Sequence, residues 1–503
     1  MTATTLTGPP DRRTYGGWRL PRSSGLGSLG LLATVVLFAG LIVAIFVTAF
    51  AGFLAAIPVV LATGLILVPL YVKVGNGRNG AQWLTARTAW FVGQHAGQHL
   101  YRSGPLARVG QGRCPLPGLA ASLEAIDALD ALGRPFALLS HPLGHVSAVI
   151  STSSDGASLV DDDQVDQWVA SWGAWLANLS HEPGLVACQV VIESAPDHGT
   201  RLRREVADHL AVDAPQLARD VLNECVDTYP MGGATITCRV GLTWSRLPRT
   251  RTGQKRRTVE EMAIDVGQRL PGLTTGLGAA GAGPARPMVA AEIAAACRVA
   301  YDPAIGADLE RIGSAEADIA WQDCGPLATE EHWDRYRHDS GMSTSWQMVE
   351  AGRAAVFAGR LARLLAPHPD VARKRVALLF RPHSPAEATK VVERDRRDAL
   401  FAAQSRKVGR ARDTFEVRAA EQAANEEAAG AGLLRVGMVV TATVTDPDKL
   451  DAAITAVDNA ATTSRLRLRR ASGSQASSFI AALPLGMVLP EHLNVPAIVR
   501  EAM

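Results

Sequence analysis

The sequence predicts an α+β protein carried on an N-terminal transmembrane helical hairpin, and three observations predict it. Residues 23–72 contain no Asp, Glu, Lys or Arg. Beyond residue 118, short apolar runs alternate with amphipathic stretches in two successive groups. The second group also holds a long, charged, alanine-rich segment at 385–429, with Gly409 as its one internal breaker after Pro385.

A helix rises about 1.5 Å per residue and the hydrocarbon core is about 30 Å thick, so one span takes roughly 20 residues. The uncharged stretch has room for two, read as 26–48 and 52–72 with a short turn near Thr48 to Phe53. Pro58 is tolerable because a lipid-embedded helix re-satisfies the freed carbonyl locally. Arg12, Arg13, Arg19 and Arg22 precede the hairpin, Lys73, Arg78 and Arg87 follow it, and Asp11 is the only acid before Glu124. The positive-inside rule therefore places both termini in the cytoplasm of a two-pass plasma-membrane protein, behind a basic tail at 1–25. Segment 81–101 carries Trp83, Leu84, Trp90, Phe91 and Tyr101, which suits a helix at the membrane surface or one packed on the next domain. Arg19, Arg22, Lys73, Trp83 and Trp90 are the expected membrane-interface residues and lipid the expected contact.

Residues 73–118 are then a juxtamembrane helix and a linker, the latter rich in Pro and Gly from 103 onward. The first α+β lobe, 119–250, opens with apolar runs at 136–140 and 146–151 joined by HPLGH, a hairpin signal. Asp161 to Asp163 cap a helix whose Val165, Trp168, Val169, Trp172, Trp175, Leu176 and Leu179 recur at three and four, a core stripe. A strand at 185–194, a helix at 201–226 and a strand at 234–245 complete the order β-β-α-β-α-β, similar to a ferredoxin-like layer with helices on one face. Residues 251–288 read as a flexible linker, Gly/Ala/Pro-rich from 272 to 287. The second lobe, 289–503, has strands at 342–350 and 375–380, then a long helix or helical hairpin at 385–429. A strand at 433–444, a helix at 447–461 opened by Asp446 and a strand at 464–468 follow. The two groups suggest a weak internal duplication without a fixed-period repeat.

Composition narrows the function classes. The formal net charge is +2 over 503 residues, so no global basicity favours nucleic acid. The six cysteines stand far apart, without Cys-x-x-Cys, and read as cytosolic thiols. Two stretches match G-x-G-x-x-G, at Gly25, Gly27, Gly30 and at Gly276, Gly278, Gly281, but neither sits between a strand and a helix N-terminus as a dinucleotide site requires. No G-x-x-x-x-G-K-[ST] is present, so no phosphate-cradling loop is expected; no cofactor, no metal and no catalytic residue is assigned. His141 and His145 in SHPLGH lack a third ligand and read as turn histidines. Glu331, His332, Asp334, His338 and Asp339 form the richest polar cluster, the one place where an unrecognised enzyme site would lie. Arg246, Arg249, Arg251, Lys255, Arg256 and Arg257 make the densest basic run, a solvated loop with phosphate or lipid contact as the functional alternative; direct nucleic-acid contact would make binding steeply salt-dependent.

The basic start YGGWRLPRSSGLGSLGL running into the hairpin resembles the PrgI-type small membrane proteins of conjugative type IV secretion systems. The remainder is similar to the amino-terminal, non-motor region of TraC-type conjugation ATPases. The stretches that carry this are VALLFRPHSPAEATKVV at 376–392, EVRAAEQAANEEAAGAGLLRVGMVVTATVTDPDKLDAAI at 416–454 and ASSFIAALPLG at 476–486. Together they resemble a family of actinobacterial integrative-element proteins that carry hairpin and platform without the motor. The resemblance implies a non-enzymatic scaffold subunit, docked beside a separate hexameric ATPase and other channel subunits. An EccE-type core subunit of type VII (ESX) secretion is the rival with the same layout. A membrane-tethered enzyme built on His332, Asp334 and His338 is the reading from another class.

Overall fold

A computed structural model describes residues 31–493 except 75–77, 106, 108–111, 155, 157–159, 197–205, 212, 229–233, 248–255, 314–316, 351–357, 405–410 and 429. Two apolar helices, α1 (Leu31–Ala51) and α2 (Phe53–Tyr71), form the hairpin, and Gly52 at φ +87° makes the turn between them. They are followed by α3 (Gly80–His95).

Among the described residues, thirteen antiparallel strands then build one sheet. In chain order they are β1 (Leu100–Arg102), β2 (Glu124–Leu129), β3 (Pro135–Ser140), β4 (His145–Thr152), β5 (Leu185–Pro196), β6 (Ala234–Ser245), β7 (Ala285–Pro287), β8 (Ala328–Glu331), β9 (Tyr336–His338), β10 (Gly341–Glu350), β11 (Arg373–Pro382), β12 (Leu434–Val444) and β13 (Arg467–Arg470). Their spatial order is β1-β8-β9-β10-β12-β11-β5-β6-β4-β3-β2, with β7 also on β4 and β13 also on β10. The helices that bear on the argument are α4 (Asp162–Leu179), α5 (Gln216–Thr228), α6 (Val259–Leu277), α7 (Ala290–Tyr301), α8 (Pro385–Gln404), α9 (Ala411–Ala428), α10 (Leu450–Thr463) and α11 (Gln475–Ala481), beside short helices at Gly306–Ile312 and Ala362–Leu365.

The element order repeats. β2-β3-β4, β5, β6, α6, β7, α7 is followed by β8-β9-β10, β11, β12, α10, β13, α11, and the two sets meet where β5 pairs with β11. Segments expected as two lobes therefore share one sheet. Helices also cover both faces instead of one. On the outer face α4 and α6 bury Trp175, Leu179, Met262, Val266 and Leu270 against the first set, and α10 buries Leu450, Ile454 and Val457 against the second. On the inner face lie α7, α11 and the segment 482–488, burying Ile293, Cys297, Phe479, Leu483 and Leu485.

Several expectations give way to packing. The segment expected as a flexible linker contains α6 and β7, because Met262, Val266, Leu270 and Leu277 form a stripe that closes the core and Thr258 with Glu261 makes a capping box. The glycines of its G-x-G-x-x-G stretch serve that packing: a Cβ on Gly276 would lie 2.6 Å from Trp175, and one on Gly281 2.6 Å from Trp168. The expected linker after residue 103 is likewise tied to the body, with Arg113 Nη1 2.6 Å from Asp323 and Tyr101 donating to the Pro115 carbonyl. The helix expected at 201–226 is interrupted: 206–209 are helical, 210–211 and 213–215 are not, and α5 begins at Gln216 directly after Pro215, while 201–205 and 212 lie outside the described residues. The charged segment at 385–429 is the antiparallel pair α8 and α9, which bury Ala388, Val392, Ala399 and Ala420.

The inner face carries a polar file matched in the two sets. His141 Nε2 is 2.7 Å from Ser147 Oγ, and Ser147 Oγ is 2.9 Å from Thr243 Oγ1. In the second set His338 Nε2 is 2.7 Å from Ser343 Oγ, and Ser343 Oγ is 2.8 Å from Thr443 Oγ1. Each file ends on a carbonyl from the other set's last segment: Thr243 donates to Gly486 O at 2.8 Å, and His338 Nδ1 donates to Tyr301 O at 2.5 Å. A carbonyl only accepts, which fixes opposite proton directions. His141 carries its proton on Nε2 and donates to Ser147, whereas Ser343 donates to Nε2 of His338. Gln189 adds three bonds to the strap that residues 481–488 lay across this face, donating to Ala481 O and Leu483 O and accepting from Gly486 N.

At the seam Glu193 stands opposite Arg375, with Arg373 at 2.6 Å and Arg239 at 3.3 Å. Burial works to raise the Glu193 pKa, but Arg373, Arg375 and Arg239 together hold it down to about 2. Arg375 is fully buried and its guanidinium stacks over Phe479 of α11 at 4.6 Å.

Two expected outcomes follow from this core. Gln189→Leu leaves the buried Ala481 carbonyl and Gly486 amide unpaired, while Leu483 O keeps its bond from Leu485 N, and should lower stability by about 2 kcal/mol or more, measured by denaturant unfolding; an unchanged midpoint would show that the strap is held otherwise. The second concerns acid. Burial, with minor charge effects, lowers His141 and His338 from 6.5 to about 3, so both are neutral in the fold. The unfolded chain protonates them below 6.5, so stability is full above that pH and is lost towards pH 3, by about 1.4 kcal/mol per pH unit for each. Glu193 adds its own loss as pH falls from 4.5 towards 2. The slope of unfolding free energy between pH 6 and pH 5 should therefore flatten in the His141→Gln, His338→Gln double variant.

Candidate membrane-anchoring site

The features with most functional content lie where the hairpin meets the sheet. α1 and α2 are long and apolar enough to cross a bilayer, with mean hydropathies of 2.6 and 2.5 over 19 residues each. Their outward surfaces are bare: Phe50, Phe53, Leu54 and Leu65 are all more than 70% exposed. The buried residues between the helices are small, namely Ala33, Ala44 and Ala56. At the closest approach a Cβ on Gly40 would lie 2.3 Å from Thr63 Cγ2. Small residues at a helix crossing are what packing in lipid requires, because lipid tails give no hydrophobic drive between helices. The Thr48 and Thr63 hydroxyls donate to carbonyls four residues back, so neither is stranded in an apolar setting.

The chain leaves α2 through a tight link in which Gly80 N donates to Val72 O, and Asn79 N donates to the Gln82 side chain at the start of α3. α3 turns two different sides outward and inward. Leu84, Phe91 and Val92 are exposed at 56%, 62% and 67%, and at spacings of seven and eight they form one stripe beside the hairpin. Trp83 is exposed on the same helix. Trp90, expected at the lipid interface, instead lies edge-on to Trp333 at 5.9 Å, and the Arg87 guanidinium sits 4.7 Å over that same ring. Trp333 occupies the β8–β9 turn and is fixed by Gly473, whose N–H donates to Trp333 O and whose φ of +74° leaves no Cβ in the way.

Beyond α3, Gly97 at φ +71° reverses the chain into β1. β1 pairs antiparallel with β8, placing Tyr101 opposite Thr329 and Arg102 opposite Ala328. Ser103 ties the end of β1 to Leu327 and Pro326 carbonyls. Helix and strand together make a continuous mechanical path from the hairpin to the sheet.

The other sequence-derived candidates fall elsewhere. Arg19 and Arg22 lie outside the described residues, as do Arg249, Arg251 and Lys255; Lys73 has its backbone in a two-residue ladder with Asn79. Arg246 and Arg257 brace the base of the basic loop: Arg246 Nε donates to Arg257 O, and Arg257 Nη1 lies 2.8 Å from Asp265. Arg256 packs against Gly144. The polar cluster at 331–339 does not converge on a cleft. Asp334 is exposed, His332 is on the surface 3.5 Å from Glu330, and His338 is wholly buried on the inner face. Glu331 accepts from Ala476 N at the start of α11, and burial raises its pKa. Asp339 binds Arg298 at 2.9 Å and the amides of Leu327 and Ala328. Among the described residues, no three His, Cys, Asp or Glu side chains gather as a metal would need. Sequence reasoning missed Trp333 and β1, since three-residue strands and a cross-chain ring contact have no local signal.

Trp333→Ala removes the ring that Trp90 and Arg87 share. Amides of residues 80–102 should then exchange at least tenfold faster with solvent deuterium, while those of β4, β5 and β6 keep their protection; Trp333→Phe should restore most of the difference.

A family model described as a domain of unknown function (DUF8461) matches residues 22–82, which take in both membrane-length helices and the first turn of α3. No curated protein matches the chain.

Proposed function

We propose that this chain is a membrane-anchored structural subunit of a conjugative type IV secretion-like apparatus, acting as a platform beside a separate hexameric ATPase and other channel subunits. The observation that carries the reading is the path from hairpin to sheet: an apolar hairpin ends in a helix docked by Trp90 on Trp333, which continues as a strand of the main sheet. A loose tether serves an enzyme as well as a short one does, whereas a platform needs its body held at fixed height and angle to the bilayer. The resemblance of the N-terminus to PrgI-type proteins and of 376–486 to the non-motor region of TraC-type ATPases supports the same reading. In this reading the hairpin is two-pass, both termini are cytoplasmic, the exposed stripe of α3 lies along the lipid headgroups, and the basic residues around it meet anionic lipid. The EccE-type alternative shares the hairpin and the α+β body, and differs in its partners.

The chain should remain in the membrane pellet after alkaline carbonate and enter solution only with detergent. A C-terminal tag, pulled from mildly solubilised native membranes, should bring down a conjugation-type ATPase in stoichiometric amount. Recovery with type VII core subunits instead would move the chain to that apparatus, and recovery alone under conditions that preserve other membrane complexes would end the platform reading.

A further inference from the structure

The repeat within the sheet exposes a vacancy. At one end of the sheet the outer edge of β8 is covered by β1, and the adjoining β8–β9 turn presents Trp333 to α3. At the other end stands β2, the counterpart of β8 in the first set, and among the described residues no strand pairs with its outer edge. The counterpart of the Trp333 turn is the β2–β3 turn, which presents Leu132 at 67% exposure beside Leu129 at 66%. That turn is held rigid: Asp130 accepts from the amides of Leu132 and Arg134 and from Arg134 Nε at 2.7 Å. An open ladder and a preformed apolar knob thus lie where the other set receives its strand and helix.

We infer that the outer edge of β2, with Leu129 and Leu132, is a docking surface for an extended segment of a partner protein that carries Lys or Arg between apolar residues. Charge decides the occupant. β2 bears Glu124 on an exposed position and Asp127 on another, and in the matching β8–β1 pair the arriving strand sets Arg102 opposite Ala328, on the diagonal to Glu330. A second copy's β2 is disfavoured, because pairing two such strands brings both sets of carboxylates onto one short ladder. Acids on an edge strand also repel indiscriminate pairing, so a cationic strand is selected over a neutral one. Main-chain bonds would supply affinity and the side chains specificity, as in strand addition generally.

The probe is a peptide with the sequence of residues 98–104, QHLYRSG, carrying a photoreactive benzoylphenylalanine in place of Tyr101, offered to the full chain in detergent micelles. Saturable adducts within residues 124–132 are expected, falling at least tenfold in the Glu124→Lys, Asp127→Lys double variant and with a peptide whose Arg is changed to Glu. Both acids are exposed, so the variant keeps its fold, which far-UV circular dichroism checks. Adducts confined to residues 328–331, or labelling indifferent to charge reversal, would overturn the inference. So would a sedimentation dimer of the full chain that Asp127→Lys dissolves, since the edge would then belong to a second copy.

Discussion

A length of backbone that has no ladder of its own crosses the inner face of the sheet, and its carbonyls and amides must still be bonded. Residues 482–488 are that segment, and the sheet meets them with side chains. Gln189 bonds Leu483 O and Gly486 N within it and Ala481 O just before it, and Thr243 bonds Gly486 O, while Gly486, at φ +67°, comes so close that a Cβ would lie 2.4 Å from Ser147 Oγ. The reciprocal contact, from the end of α7 to His338, ties the first set to the second. Each set is closed by a segment of the other. The two sets are thereby one body, although each has the strand order of a small α+β layer.

That crossing explains why the inner face is polar where a two-layer sheet would be greasy. Serines and threonines at 147, 243, 343, 345, 441 and 443 are all fully buried, small enough to let backbone approach and able to bond it. The seam adds a charged counterpart, three arginines around Glu193, with Arg375 stacked on the ring of Phe479 from α11. A buried carboxylate with such neighbours is costly to break and specifies register more than it adds stability. It sits on the β5–β11 pair, where the two sets would otherwise be free to slip.

The link from the apolar hairpin to the sheet uses the same economy of means. Among the described residues between hairpin and sheet stand a two-residue ladder, one helix and one strand of three residues, yet two tryptophans, an arginine and a glycine with positive φ fix the angle of helix and strand. Forces on the hairpin reach β8 directly, and from there β9, β10 and the polar file of the second set. The first set lies at the far end of the sheet, with its β2 edge facing away from that linkage.

Much of this was legible in local pattern. The uncharged stretch gave two membrane-length helices with the break between Thr48 and Phe53, and the apolar runs around HPLGH, the α4 stripe, the long β5 and β6 strands, and the charged, alanine-rich α8–α9 pair each carry a local signal that tertiary structure did not override. The site was half legible: Trp83 and Trp90 marked α3, but only the fold turned Trp90 inward onto Trp333. Composition misled at 251–288, where glycines read as flexibility were there to admit Trp168 and Trp175. Short strands β1, β7, β8 and β9, of three or four residues each, have too few residues for any period, so pairing alone makes them strands. Sequence by itself determined the apolar hairpin and the class of each long element, because both depend on neighbours within a few turns. Whether the two sets stand apart or share one sheet, and which carbonyl closes the file of His141, depends on residues about two hundred positions away. Only the tertiary structure brings those groups into contact, and there the need to bond buried backbone decides the outcome.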